Sequence, residues 1–177
     1  MIYWFTFSAD YDIIILIILS KSWDSMSEEM NITEQTEETV EIALTRSEQR
    51  EQAFMFLFSK LFGDTPLEDA VEDNSQMFMG GVCAYAQAVA MGIESKTDEL
   101  DSIIVKYLKK GWSISRISKA SLVILRLALY EIKYLENVPD SVAVNEAVEL
   151  AKKYTIDESG FVNGILGSYI REQGTDK

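Results

Sequence analysis

A chain of 177 residues with 47% apolar content can bury one sizeable core, or two small bundles sharing a core, and is not a disordered polymer. Its single cysteine, Cys83, excludes an internal disulfide and fits a reducing, cytoplasmic compartment. The absence of histidine excludes Ser-His and Cys-His catalysis and histidine-ligated metals, and the net charge of −13 argues against nucleic acid only until its distribution is read.

Residues 1–44 carry nine acids against one lysine, and residues 64–76 add five acids and no base. From Ser102 to Tyr130 there is no acid, but there are six cations: Lys106, Lys109, Lys110, Arg116, Lys119 and Arg126. A basic region therefore exists inside an acidic chain. It reads either as a solvated face with lysines near helix C-termini or as a surface for an anionic partner.

The N-terminal extension opens on an apolar stretch whose uninterrupted run, Ile13–Leu19, is seven residues long, with Asp10 and Asp12 just ahead of it. A bilayer span needs roughly 20 such residues, and a signal peptide needs a basic n-region that is missing here, so no membrane partner is expected. Met26 and Met30 follow, and translation is expected to start at one of them, with residues 26–44 forming a solvated tail.

From Thr45 the periodicity is helical. Thr45 and Glu48 form a capping box, and Phe54, Leu57, Phe58 and Leu61 recur on one face before Gly63 and Pro66 stop the helix. A second helix is expected from near Leu67 to Gly92, burying Phe78, Val82, Tyr85, Ala86 and Val89, with Gly80-Gly81 marking a close contact or kink. Cys83, amid small residues, reads as a core position. A third helix runs from Ser95 to Gly111, and a short turn over Ser113–Ser118 follows.

The fourth helix, Ala120–Leu135, is apolar nearly all round, which places it in the middle of the molecule. Pro139 ends that segment, Asp140 or Ser141 caps a helix running to Tyr154, and a last helix begins after Thr155 or Asp157. The expected fold class is all-α. Gly160, Gly164 and Gly167 fall at i, i+4 and i+7 of the last helix, lining one side for close approach by the helix over Val142–Ala151 or by a ligand. A bulky residue at Gly164 is accordingly expected to hurt folding.

No phosphate-cradling loop, CxxC or HExxH motif is present, and no catalytic residue, cofactor or metal site is expected. The acids Asp157-Glu158 read as first-turn residues favoured by the helix dipole. Arg126, inside an apolar helix, must reach solvent, a ligand phosphate or a carboxylate such as Glu146. Arg46 and Arg50 lie four apart at a helix N-terminus, a weak phosphate-site signal.

The segment ILRLALYEIKYLENVPDSVAVNEAVELAKKY and the following FVNGILG, together Ile124–Gly167, resemble the C-terminal half of the NusB family of transcription antitermination factors. TRSEQREQAFMFLFS, Thr45–Ser59, resembles that family's first helix. The resemblance covers about residues 45–172, leaving residues 1–44 as an extension and 173–177 as a tail.

It implies about seven helices in two small packed bundles and no enzymatic activity. It also implies binding of boxA RNA from ribosomal RNA transcripts together with ribosomal protein NusE, in an RNA polymerase elongation complex with other Nus factors. Arg46 and Arg50 then map to the basic RNA-binding arm, and Arg126, Phe161 and Asn163 lie near the RNA, with Lys119 added from the basic stretch. Phe58 maps to the NusE-facing surface. Phe161 otherwise reads as an ordinary core ring.

Three features depart from the family pattern. Glu48 and Glu51 thin the basic arm, Ser121 stands where an acid is common, and the loop over Thr155–Gly160 is one residue short. A reading from a different class is an acidic helical protein–protein adaptor that does not bind RNA.

Overall fold

The computed structural model describes residues 44–61, 78 and 81–175, which lie within one compact unit, Glu41–Lys177. Among them are five α-helices and no strand: α1 Arg46–Lys60, α2 Ala84–Lys106, α3 Lys119–Tyr134, α4 Asp140–Tyr154 and α5 Ser159–Thr175. A short 3-10 turn, Ile114–Arg116, lies between α2 and α3. The apolar N-terminal run, both candidate start methionines, the stop at Gly63 and Pro66 and the expected helix start near Leu67 fall outside the described residues.

The all-α class holds, while the described residues carry five helices, four of them packed on a central one, rather than about seven in two bundles. Part of the difference is local: the two helices expected on either side of Gly92 are one continuous helix, α2. Gly92 is not a stop signal. A Cβ there would lie 2.0 Å from the Tyr130 hydroxyl oxygen, so glycine lets α3 bring Tyr130 against the α2 backbone.

The true start of α2 is set by Gly81 and Cys83. Gly81 takes φ +81°, which glycine adopts without strain, and Cys83 is the N-cap, its Sγ accepting from the Ala86 amide. Cys83 is thus half-buried at a helix start rather than in the core. Buried Gln52 of α1 braces this turn, accepting from the Cys83 amide at 2.6 Å and donating to the Gly81 carbonyl at 3.2 Å. Phe78 and Val82 are buried but precede the helix.

Helix α1 begins with the expected capping box: the Thr45 amide donates to Glu48 Oε2 at 2.6 Å, and the Glu48 amide to Thr45 Oγ1 at 3.3 Å. Its buried face is wide, taking in Ala53, Phe54, Phe56 and Phe58, and the Phe54 ring lies 4.7 Å from that of Tyr154. Each such ring contributes about 1.5–3 kcal/mol by burial.

Helix α3 sits in the middle, packed against α1, α2, α4 and α5, with Val123, Ile124, Leu125, Leu127, Ala128 and Leu129 buried. Helix α4 starts after Pro139 as N-cap, so Asp140 is a first-turn acid rather than the cap. Its Ala147, Leu150, Ala151 and Tyr154 face inward, as the periodicity implied. Asp157 and Glu158 lie before α5, not in its first turn. Asp157 takes φ +55°, and Glu158 accepts the hydroxyls of Ser118 and Ser121, fastening the start of α3 to the start of α5. Ser121, where an acid was expected from the resemblance, is therefore buried against a carboxylate supplied by Glu158.

The glycines of α5 are not closely approached. A Cβ added at Gly160 or Gly164 meets nothing within 4 Å, and one at Gly167 meets only Arg171 Nη1 at 3.5 Å. Gly160 and Gly167 instead line an open groove of about 790 Å³ against α4, with Val144, Val148 and Ile170 among its apolar walls. The expectation that a larger residue at Gly164 harms folding is corrected accordingly. Gly164→Ala should stabilise the fold by roughly 0.5–1 kcal/mol through helix propensity, whereas Gly92→Ala should destabilise it by displacing Tyr130. Urea unfolding of the two variants checks this pair.

Candidate nucleic-acid interface

The arginines at the head of α1 part company. Arg46 is exposed, hydrogen-bonds Gln49 Oε1 at 2.9 Å and lies 4.1 Å over the ring of Tyr85. Arg50, one turn later, faces the core. Only 4% exposed, it donates from Nε to Glu131 Oε1 at 2.7 Å, and Nη1 lies 3.7 Å from Glu146 Oε2. Glu131 is 1% exposed and also accepts the Tyr85 hydroxyl. Burial first, and the hydrogen bond to Glu131 second, push that hydroxyl well above the usual tyrosine value, so it stays protonated and donating. Arg50 is thus a structural cation. Its expected place in the RNA-binding arm is corrected, because a side chain sealed between α1, α2 and α3 presents no guanidinium to solvent.

Arg126 is likewise turned to a carboxylate, but not to Glu146. Its Nε and Nη2 each donate to an Asp101 carboxylate oxygen of α2 at 2.7 Å, a bidentate pair with 16% and 25% of the side chains exposed. Glu146 is engaged elsewhere, accepting from Ser47 at 2.7 Å. Phe58 is 3% exposed and stacked on Phe54 at 5.7 Å, so the ring expected to face NusE is a core ring. The broad apolar arc of α1 turns it inward.

Exposed cationic and aromatic groups gather at the other end of α3. The Glu158 clasp holds the starts of α3 and α5 together, and with them Lys119, which opens α3, and Phe161, in the first turn of α5. Phe161 is half-buried, its centroid 6.4 Å from that of Trp112 at an interplanar angle of 30°. Trp112 is 47% exposed, and the Arg116 guanidinium lies 5.3 Å from its ring centroid.

Asn163 is exposed on the opposite edge of α5, in the groove with α4, so Phe161 and Asn163 do not share a face. Lys119 and the Glu131 site beneath Arg46 are twelve residues apart on α3, about 18 Å at 1.5 Å per residue. The six expected RNA contacts therefore do not form one patch. Trp112 was not singled out from the sequence and Arg116 only as one of the six cations of the basic region, although an aromatic within the acid-free stretch was the available signal.

Among the described residues no cluster of three or more Cys, Asp or Glu side chains could hold a metal, and no helix is long and apolar enough to cross a membrane.

Comparison with known proteins agrees with this architecture. The chain is 45% identical over 123 residues to the transcription antitermination protein NusB of Lacticaseibacillus casei, covering 69% of this chain and 91% of that one. It is 41% identical over 140 residues to the NusB of Enterococcus faecalis, covering 73% and 91%. A solved NusB structure from T. maritima matches with a TM-score of 0.64 at 33% identity, covering 73% of this chain and 92% of that one. A crystal structure of antitermination factors NusB and NusE in complex with dsRNA matches with a TM-score of 0.56 at 28% identity, covering 70% and 93%. The sequence model described as the NusB family spans residues 47–171, from the first turn of α1 into the last of α5, and the chain belongs to that family.

Proposed function

We propose that this transcription antitermination factor binds boxA RNA of ribosomal RNA transcripts together with ribosomal protein NusE. In that state it joins the elongating RNA polymerase complex with other Nus factors and suppresses premature termination. The observation that carries the reading is the family membership, joined to a related solved structure whose NusB is held with NusE and dsRNA. The family's members are RNA-binding scaffolds, and the chain is not an enzyme.

Arg46, Lys119, Phe161 and Asn163 are the residues we assign to RNA contact. All but Phe161 are exposed, and Phe161 keeps part of its ring accessible. Cations along the backbone and rings against bases are the usual means of holding a single strand. Arg50 and Arg126 act instead through the ion pairs that fix α1 and α2 on α3.

The test is a titration of boxA RNA into the complex with NusE. Arg46→Glu should weaken binding tenfold or more, and affinity should fall with rising salt as counterions are released. An Arg46→Glu affinity equal to that of the unsubstituted chain, at matched salt, removes the α1 arm from the site.

A further inference from the structure

We propose that Trp112 and Arg116 form a stacking site for one unpaired nucleobase, with Phe161 as the wall behind it; this rests on the RNA-binding reading above. The loop between α2 and α3 is built to hold Trp112 outward. Gly111 takes φ +87°, the Trp112 amide donates to the Lys109 carbonyl at 2.9 Å, and Ile117 anchors the far end in the core. The 3-10 turn then places Arg116 beside the ring, its amide donating to the Ser113 carbonyl at 3.0 Å. With 47% of its surface exposed, the Trp112 indole offers an open face on which a base can stack.

The surroundings decide what covers it. Lys109, Lys110, Ser113, Ser115 and Arg116, which flank Trp112 in the chain, are all exposed and polar, and the chain carries no acid from Ser102 to Tyr130. Among the described residues no carboxylate pairs with Lys109, Lys110 or Arg116. Phosphates would find cations there while a base finds the indole face. Lysines are depleted in protein–protein interfaces, so Lys109 and Lys110 beside Trp112 in the chain favour an anionic partner. A stacking face also requires an unpaired base, so the site selects single-stranded over duplex RNA.

The experiment uses the full chain with Trp4→Phe and Trp23→Phe, leaving Trp112 as the one indole. Single-stranded boxA RNA is added to its preformed NusE complex. Indole fluorescence should be quenched to saturation. Trp112→Ala should weaken binding about 5- to 150-fold, with Trp112→Phe recovering most of the loss. Arg116→Ala should lower the slope of log affinity against log salt by about one. Melting temperature and affinity for NusE alone should not change.

If the unsubstituted complex binds boxA RNA and Trp112→Ala binds it equally well, the stacking site is overturned while the RNA-binding reading stands. If Trp112→Ala weakens NusE binding without RNA, the ring belongs to a protein interface and the proposal is overturned. If the unsubstituted complex binds no boxA RNA, both fall together.

Discussion

Glu131→Ala should lower the unfolding free energy by about 3–5 kcal/mol, the loss expected when one partner of a buried ion pair is removed. The substitution leaves the Arg50 guanidinium in the core with Glu146 Oε2 at 3.7 Å as its remaining carboxylate, and deprives the Tyr85 hydroxyl of its acceptor. The buried Arg50 guanidinium and the half-buried Tyr85 hydroxyl lose their acceptor at once, and the guanidinium is not placed to reach water. Arg50→Ala should cost a comparable amount. Replacing Arg50 and Glu131 together by apolar residues of similar volume should recover much of the loss, because no charge is then left buried. Equilibrium urea unfolding measures all three. A loss below 1 kcal/mol for Glu131→Ala would show that Arg50 finds another partner. The same numbers bear on function, since a charge reversal at Arg50 would abolish RNA binding by unfolding the chain. Arg46 is the informative position.

The second large effect belongs to Arg126 and Asp101. Both hydrogen bonds are charge-assisted and partly shielded, so Arg126→Ala should destabilise by about 1.5–3 kcal/mol, and Asp101→Ala by a similar amount. The double substitution should cost little more than either single one, because each already removes the shared interaction. A double-mutant cycle by thermal unfolding gives the coupling directly. Additive losses would mean that the pair contributes nothing together. If Arg126→Ala left stability intact but weakened RNA binding, Arg126 would be a ligand residue after all.

Local signals in the chain were sufficient for much of the fold. Thr45 and Glu48 marked the start of α1, Pro139 the break before α4, and the nearly unbroken apolar run of α3 its central position. Gly92 misled because a helix-breaking propensity and a packing requirement look alike in one dimension. Only the approach of Tyr130, 38 residues on, tells them apart. The spacing of the α5 glycines offered close approach by α4 or by a ligand; the structure leaves an open groove there, which excludes only the first.

The candidate site was legible to a lesser degree for the same reason. Arg46 and Arg50 look equivalent at i and i+4, yet Glu131, 81 residues away, draws one into the core and leaves the other on the surface. Arg126 had to meet a carboxylate or an anion, but which carboxylate depended on how α2 lies along α3. Trp112 and Phe161 lie far apart in the chain, and the Glu158 clasp between α3 and α5 brings their surroundings together.

The central claim is that this chain reads RNA in partnership with NusE. The most direct test is equilibrium binding of boxA RNA and of a boxA RNA with its sequence scrambled, each with and without NusE at fixed salt. Binding that is tightest for intact boxA in the presence of NusE is the result this account predicts. Equal and negligible binding of both RNAs under all conditions would contradict it and leave the acidic protein-binding adaptor in its place.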